Sequence, residues 1–299
     1  MSKYHTPALL DECIAALVIK EEGVYVDVTY GGGGHSKEIL KNFTKGRLIA
    51  FDQDSEAIEN KIEDERFTLV QQNFKYLKNF LKLHRAIPVD GILADLGISS
   101  HQINTAERGF STRFDGPLDM RMNKEAKLSA TSIVNKYSEE KLTQLFSQYG
   151  EVRNAKTLAL KIVEKRAEKP IKTTQDLNSI CEKLVQERKR SKYLAQVYQA
   201  IRIEVNQELE VLKDFLIQCL DVLDKNGRIA VISYHSLEDR LVKSFFKTGN
   251  FEGKLEKDFY GNIIRPLKPI NNKVIVPTDE EIKRNPRARS ARLRIATLN

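Results

Sequence analysis

Three aspartates and a run of four glycines are the residues of this chain best placed to do chemistry. Gly31, Gly32, Gly33 and Gly34 follow directly on the apolar stretch Val24–Thr29, and Asp27 lies inside that stretch. Asp52 closes a second apolar stretch, Arg47–Phe51, and Asp95 closes another, Val89–Ala94. Glycine has no Cβ, so a glycine loop lets backbone turn sharply and approach a ligand closely. An acid at the end of the second strand, about twenty residues after such a loop, suits the two hydroxyls of a ribose. Together these residues have the layout of a nucleoside-cofactor site.

The type of cofactor follows from charge and spacing. A pyrophosphate fingerprint needs G-x-G-x-x-G, and here Ser36 or Lys37 stands where the third glycine belongs. Asp27, just ahead of the loop, repels a pyrophosphate and attracts a cation. S-adenosylmethionine carries a sulfonium, an ammonium and a ribose diol, and no phosphate. It matches both Asp27 and Asp52. A nicotinamide dinucleotide, and with it a dehydrogenase, is the weaker fit.

The elements that would hold these residues alternate. Strands are predicted at 24–29, 47–51, 67–71 and 89–95, with helices near 8–18, 36–43, 54–63 and 74–83. This alternation predicts an α/β fold with a parallel, doubly wound sheet, whose ligand edge is at the carboxyl ends of the strands. From about 105 to 200 the apolar spacing turns helical. Leu142, Leu145, Phe146 and Tyr149 share one stripe, as do Leu177, Ile180, Cys181, Leu184 and Val185. Thr173 and Asp176 read as a capping box after Pro170. The expectation is a methyltransferase-type domain over 1–104 and 201–299, interrupted by a helical insertion over 105–200. One long helix should carry Ile201, Val205, Leu209, Leu212, Leu216 and Leu220. Asn226-Gly227 should turn into a strand over Arg228–Ser233. Ser236 and Asp239 suggest another capping box, 253–285 looks loop-rich, and 291–298 alternates like a last strand.

Charge points to the partner. The chain has a net charge of +8. Residues 105–200 alone carry +7 and 281–299 carry +5, so the remainder is negative. Positive charge gathered in an insertion and a tail fits a polyanion such as RNA. No apolar run nears the ~20 residues of a membrane span. The residues after Met1 lack a signal-peptide core, so a cytoplasmic location without membrane contact is expected. Cys13, Cys181 and Cys219 are far apart and form no C-x-x-C, which speaks for buried free thiols and against a metal site. Whether the chain forms a homodimer is left open.

Several longer segments carry a resemblance. They are Tyr4-His5-Thr6-Pro7-Ala8-Leu9-Leu10-Asp11-Glu12, Gly33-Gly34-His35-Ser36, Phe51-Asp52-Gln53-Asp54 and Asp95-Leu96-Gly97-Ile98-Ser99-Ser100. Further on come Glu107-Arg108-Gly109-Phe110-Ser111, Asp115–Met122, Ser233–Arg240 and Asn285–Ser290. The set resembles the bacterial RsmH (MraW) family of small-subunit ribosomal RNA cytosine-N4 methyltransferases. The last three segments are the most specific. The resemblance implies a Rossmann-like sheet with an inserted helical domain. It also implies S-adenosylmethionine as cofactor, and as substrate a cytosine of 16S ribosomal RNA at the decoding centre of the small subunit. Its cofactor contacts carry over onto Gly33, Gly34, His35, Asp52, Phe74, Asp95 and Gln102. On this reading Asp52 accepts from the ribose diol, Phe74 packs on adenine, and Asp95 meets polar groups near the methionine moiety.

The chemistry of such a transfer sets further demands. A cytosine amine is a poor nucleophile because its lone pair is delocalised into the ring. Acceptors for its N–H bonds are needed, and the base must leave its stack. Many DNA amino-methyltransferases place two prolines and an aromatic after strand four. Asp95-Leu96-Gly97-Ile98-Ser99-Ser100 has neither. Asp95, Ser99 and Ser100 are therefore the candidate amine acceptors, Tyr234 and Phe110 the candidate stacking partners, and His235 a structural or RNA-contacting residue. The catalytic base is not identified from sequence. The rival reading is an RNA-binding assembly factor on a degenerate cofactor fold, which the intact glycines, Asp52 and Asp95 oppose.

Overall fold

A computed structural model describes residues 7–271 and 273–299. Tyr4, His5 and Thr6 of the first family segment lie outside the described residues. The chain divides into two compact units, one made of residues through Gly97 together with Leu209–Asn299, the other of Ile98–Glu208. The cuts lie at 97/98 and 208/209, where the sequence reading put them at 104/105 and 200/201.

The first unit is built on seven strands: β1 (Val24–Asp27), β2 (Arg47–Asp52), β3 (Phe67–Gln71), β4 (Val89–Asp95), β5 (Leu223–Ser233), β6 (Leu267–Pro269) and β7 (Arg292–Leu298). They lie in the order β3-β2-β1-β4-β5-β7-β6. The first five are parallel, and β7 runs antiparallel to β5 and β6. The winding reverses between β1 and β4, and an open α/β sheet opens a ligand crevice at such a reversal. Register brings the strand ends level: Asp27 pairs with Ala50 and Leu93, Asp52 with Gln71, and Asp95 with Ile232. The strands are apolar on both faces because both are covered. Val26, Ile49, Phe51 and Ile92 enter one buried cluster with Phe215 and Leu216, while Tyr25, Leu48, Ala50 and Leu93 enter the other with Leu17. Each fully buried side chain of this size contributes roughly 1.5–3 kcal/mol.

The sheet's helices are α1 (Leu10–Leu17), α2 (Gly34–Lys41), α3 (Ser55–Ile58) and α4 (Leu77–Leu83). Those of the second unit are α5 (Ser100–Asn104), α6 (Ala130–Lys136), α7 (Glu139–Gln148), α8 (Ala155–Glu168), α9 (Thr174–Glu182) and α10 (Arg190–Asn206). Then follow α11 (Glu208–Val222), α12 (Ser236–Thr248) and α13 (Asp279–Arg284). The second unit has its own core, in which Leu142, Phe146, Leu158, Leu177, Cys181 and Ile201 are buried. The predicted capping box of Thr173 and Asp176 opens α9. All three cysteines are buried free thiols. Among the described residues no helix is long and apolar enough to cross a membrane.

Four expectations change. The long helix through 201–220 is two helices, because Gln207 takes the left-handed conformation at φ 52° and ends α10. Apolar spacing continues across that break and hides it. The Asn226-Gly227 turn exists, but as an excursion inside β5: Val89 pairs with Leu223 and Gly91 already with Arg228. The capping box after β5 is shifted by one residue, with His235 and Glu238 as its partners and Ser236 as the first helical residue. Residues 253–285 hold β6 and α13, both too short to show a period.

Candidate functional site

The glycine loop is shaped by three different constraints. Gly31 is in the left-handed region at φ 54°, and a Cβ there would meet nothing closer than the Thr29 carbonyl oxygen at 3.9 Å. Gly33, at φ 74°, is the residue that caps α2, and a Cβ there would sit 2.7 Å from the Tyr30 hydroxyl. Tyr30 cannot yield, since its hydroxyl donates to the Asn60 carbonyl at 2.5 Å and its ring leans on Phe67. A Cβ on Gly34 would overlap Pro7 Cγ. The loop therefore stays backbone-only between the ends of β1 and β2, where a ligand can approach it.

Asp27 does not face the ligand space that its sequence position suggested. It is 1% exposed. Its Oδ2 accepts from Ser36 Oγ at 2.7 Å and its Oδ1 from Thr29 N at 3.1 Å. Thr29 Oγ1 in turn accepts from Asp95 N at 2.6 Å. Asp27 thus ties the loop, α2 and the end of β4 together. Burial raises its carboxyl above the usual range, while the nearby His35 and the Ser36 hydrogen bond pull it back.

Asp52 and Asp95 are the carboxylates that reach the surface of the edge; both are only partly buried. Asp52 Oδ2 accepts from Gly31 N at 2.8 Å and Oδ1 from Asp54 N at 2.9 Å. Each oxygen keeps a second lone pair, which fits a vicinal diol. Burial pushes this carboxyl up to about 6 against the lowering effect of those two N–H groups. Asp95 Oδ1 accepts from the Tyr234 hydroxyl at 2.8 Å, and its Oδ2 lies 3.8 Å from His35 Nδ1. His35 Nε2 sits 3.1 Å from the Ala8 carbonyl, and the ring is buried. Burial raises Asp95 too, offset by His35 and by the Tyr234 hydrogen bond. Two acids at this edge, with Asp27 beneath, oppose a pyrophosphate and suit a ligand bearing positive charge.

The structure brings Gly33, Gly34, His35, Asp52 and Asp95 to one strand edge, with His35 placed as a support for Asp95. Phe74 follows β3, next to the end of β2, and its ring packs edge-on against Phe215 at 5.3 Å. Asn73, just before it, donates to Gln53, the neighbour of Asp52, at 2.8 Å. Gln102 belongs to the second unit. It is buried and closes a capping box with Ser99, whose N–H donates to Gln102 Oε1 at 3.1 Å. Ser99 is thereby a helix cap. Phe110 is buried in the second unit's core with the Arg108 guanidinium over its ring, so it is no stacking platform. Sequence reasoning missed the bonds from Thr29 and Ser36 to Asp27 and from Tyr234 to Asp95. Only the hydroxyl-bearing types near strand ends hinted at them.

A Rossmann-like sheet with a glycine loop after β1, an acid after β2 and another after β4 defines the class of nucleoside-cofactor-binding methyltransferase folds. The family model described as "MraW methylase family" matches residues 2–299, and the chain belongs to that family. Membership brings with it S-adenosylmethionine as methyl donor, in agreement with the donor set at the edge. The chain is 57% identical over 297 residues to Ribosomal RNA small subunit methyltransferase H of Christiangramia forsetii, covering 99% of this chain and 98% of that one. It is 58% identical over 295 residues to the protein of the same name from Flavobacterium johnsoniae, covering 98% and 97%. For the Bacteroides fragilis protein of that name the figures are 53% over 294 residues, covering 98% and 97%.

Gly33→Val would force a β-branched residue into a left-handed position and against the Tyr30 ring. Calorimetry should show S-adenosylmethionine binding lost by at least about a hundredfold, while the folded protein persists with a modestly lower Tm. Retained binding would mean that the loop does not form the cofactor cradle.

Proposed function

We propose that this chain transfers a methyl group from S-adenosylmethionine to the N4 amine of a cytosine in 16S ribosomal RNA, at the decoding centre of the small ribosomal subunit, in the cytoplasm. The observation that carries the reading is the partly buried Asp95 at the strand edge, held from one side by the Tyr234 hydroxyl and approached from the other by His35. Gly33, Gly34, His35, Asp52, Phe74, Asp95 and Gln102 make up the cofactor site on this reading. The cofactor supplies an electrophilic methyl group. Asp52 accepts from the ribose hydroxyls and Phe74 packs on the adenine.

The chain's own part in the chemistry is to orient an amine. A carboxylate at Asp95 accepts an N–H of the exocyclic amine and favours a tetrahedral nitrogen, whose lone pair is no longer conjugated with the ring. Tyr234 fixes one oxygen of Asp95 and so leaves the other to face the amine. Positioning and fixed charge of this kind account for most of what a methyl transfer to nitrogen needs. Tyr234 acts here as a positioning residue. That leaves the source of the base-stacking aromatic open, since Phe110 is in the core.

The helical unit, Ile98–Glu208, is proposed as the RNA-recognition part, on the strength of its positive charge. Arg188, Lys189 and Lys192 are exposed, whereas Arg190 pairs with Glu182. Tyr193 and Tyr198 stand beside this basic run in the sequence. Both are buried core residues, and the Tyr198 hydroxyl donates to Asn178 at 2.9 Å. RNA contact by this unit therefore rests on phosphate neutralisation and not on stacking by those tyrosines.

The product is the test. Purified protein, labelled S-adenosylmethionine and small ribosomal subunits from cells lacking the enzyme should yield N4-methylcytidine at a single position on nucleoside mass spectrometry. Label on ring carbon C5, on adenine N6 or on protein would refute this acceptor. Tyr234→Phe tests the role of Asp95. The Tyr234 hydrogen bond lowers the Asp95 pKa, so its loss should raise it. A hydrogen bond to a charged group is worth about 1.5–3 kcal/mol, so the acid limb of the kcat–pH profile should move up by about one to two pH units. An unmoved acid limb would separate Asp95 from the transfer step.

A further inference from the structure

Two of the segments that distinguish this sequence, Ser233–Arg240 and Asn285–Ser290, reach the cofactor edge only through the Tyr234 bond to Asp95. In the sheet unit they meet. A cavity of about 440 Å³ is lined by Tyr234, His235 and Ser236 from the turn after β5 and by Arg289 and Arg292 from the turn into β7. Tyr234 joins it to the strand edge: it borders the cavity, and its hydroxyl reaches Asp95.

The charges around the cavity are unequally committed. Asp239 takes Arg294 at 2.7 and 3.1 Å and Arg292 at 3.3 Å. Burial pushes the Asp239 carboxyl up, but these two arginines outweigh it and hold it below the usual range, so it stays an anion matched by cations. The Glu238 carboxylate accepts from Tyr234 N at 3.0 Å and His235 N at 3.4 Å. Arg289 is exposed and has no carboxylate partner among the described residues. An unpaired guanidinium at the mouth of a cavity is a ready anion ligand.

Next to the cavity the His235 ring is packed away from solvent. The His235 side chain is only 7% exposed, and its Nε2 makes no hydrogen bond. That nitrogen lies 3.1 Å from Glu238 Oε1, but closeness without direction is not a hydrogen bond. Nδ1 faces the Glu238 N–H at 3.5 Å as an acceptor. The 13-residue α12 also begins here, and its N-terminus adds a favourable field for an anion.

We propose that this cavity binds a backbone phosphate of the RNA next to the nucleotide presented to Asp95, with Arg289 as the cationic anchor at its mouth and the N-terminus of α12 beside it. The inference rests on the ribosomal RNA reading above. The apolar wall around Val276 and Ile282 offers a surface for the adjoining sugar. Tyr234 then separates, by the length of one side chain, the group that holds the backbone from the group that meets the base.

The test is equilibrium binding of 16S ribosomal RNA to the full chain as salt is varied, for wild type, Arg289→Gln and Arg289→Lys. Removing one phosphate contact should weaken binding about tenfold near 0.1 M salt and reduce the slope of log K against log salt by about 0.7–1. Arg289→Lys should keep the slope, and S-adenosylmethionine affinity should be the same in all three. An affinity and slope unchanged in Arg289→Gln would overturn the phosphate site, even with wild-type methylation intact. Failure of the wild type to methylate small subunits would strike the functional reading instead, and the salt slope would still decide whether Arg289 holds a phosphate.

Discussion

A carboxylate buried, among the described residues, without a cation in hydrogen-bond range is the constraint on which this site depends. Asp27 is closed off from solvent and kept there by Ser36, by the Thr29 N–H and by the chain of bonds through Thr29 to the backbone of Asp95. Each of those donors comes from a different element: the start of α2, the glycine turn, the end of β4. Asp27 therefore fixes where the loop leaves the sheet and where Asp95 stands relative to it. Its charge also raises the two carboxyls above it. A positive ligand group arriving at the edge relieves that repulsion, whereas a phosphate would add to it.

From this hub the rest of the edge follows. The loop must be glycine at Gly33 because Tyr30 fills the space beneath it, and at Gly34 because Pro7 does so from the other side. Asp52 is aimed by the N–H groups of Gly31 and Asp54, so the residues that shape the loop also orient the acid. Asp95 is oriented by His35 and Tyr234, which arrive from the loop and from β5. The residues beyond Tyr234 continue into the arginine-lined cavity, where the same strand end passes from cofactor chemistry to anion chemistry. Both depend on one principle: polar groups at the ends of parallel strands are matched by neighbours from the next element.

Much of this was legible before any coordinates. Period-two and unbroken apolar runs located β1 to β4 to within two residues, because burial on both faces leaves few polar interruptions. The register of parallel strands then made it unavoidable that Asp27, Asp52 and Asp95 share an edge. Which of the three face outward was not legible. Asp27 and Asp52 each end a strand in the same kind of sequence, and only the positions of Ser36 and Thr29 in space make the first a structural acid. Tyr193 and Tyr198 are undecidable from sequence for a similar reason: a basic run beside aromatics reads alike whether the rings point out or in, and the helix turns them into the core. The break at Gln207 left no trace because a left-handed residue needs no glycine when its neighbours hold it. His235 was expected to be structural or RNA-contacting, and in the structure it caps α12. Its role as the cap of α12 was missed because the Ser236–Asp239 spacing offered an equally good match one residue later.

The most direct measurement of the central claim, that this edge binds S-adenosylmethionine with Asp52 on its ribose, is a calorimetric titration of the cofactor between pH 5 and 7 for wild type and Asp52→Asn. The diol needs the carboxylate form, and the free carboxyl is pushed up to about 6. Wild-type affinity should accordingly be constant near pH 7 and fall below pH 6, approaching about tenfold per pH unit at the acid end. Asp52→Asn should bind about ten- to a hundredfold more weakly at pH 7 and lose that acid-side decline. Equal affinities, or the same decline in both proteins, would contradict the account and take Asp52 out of the site.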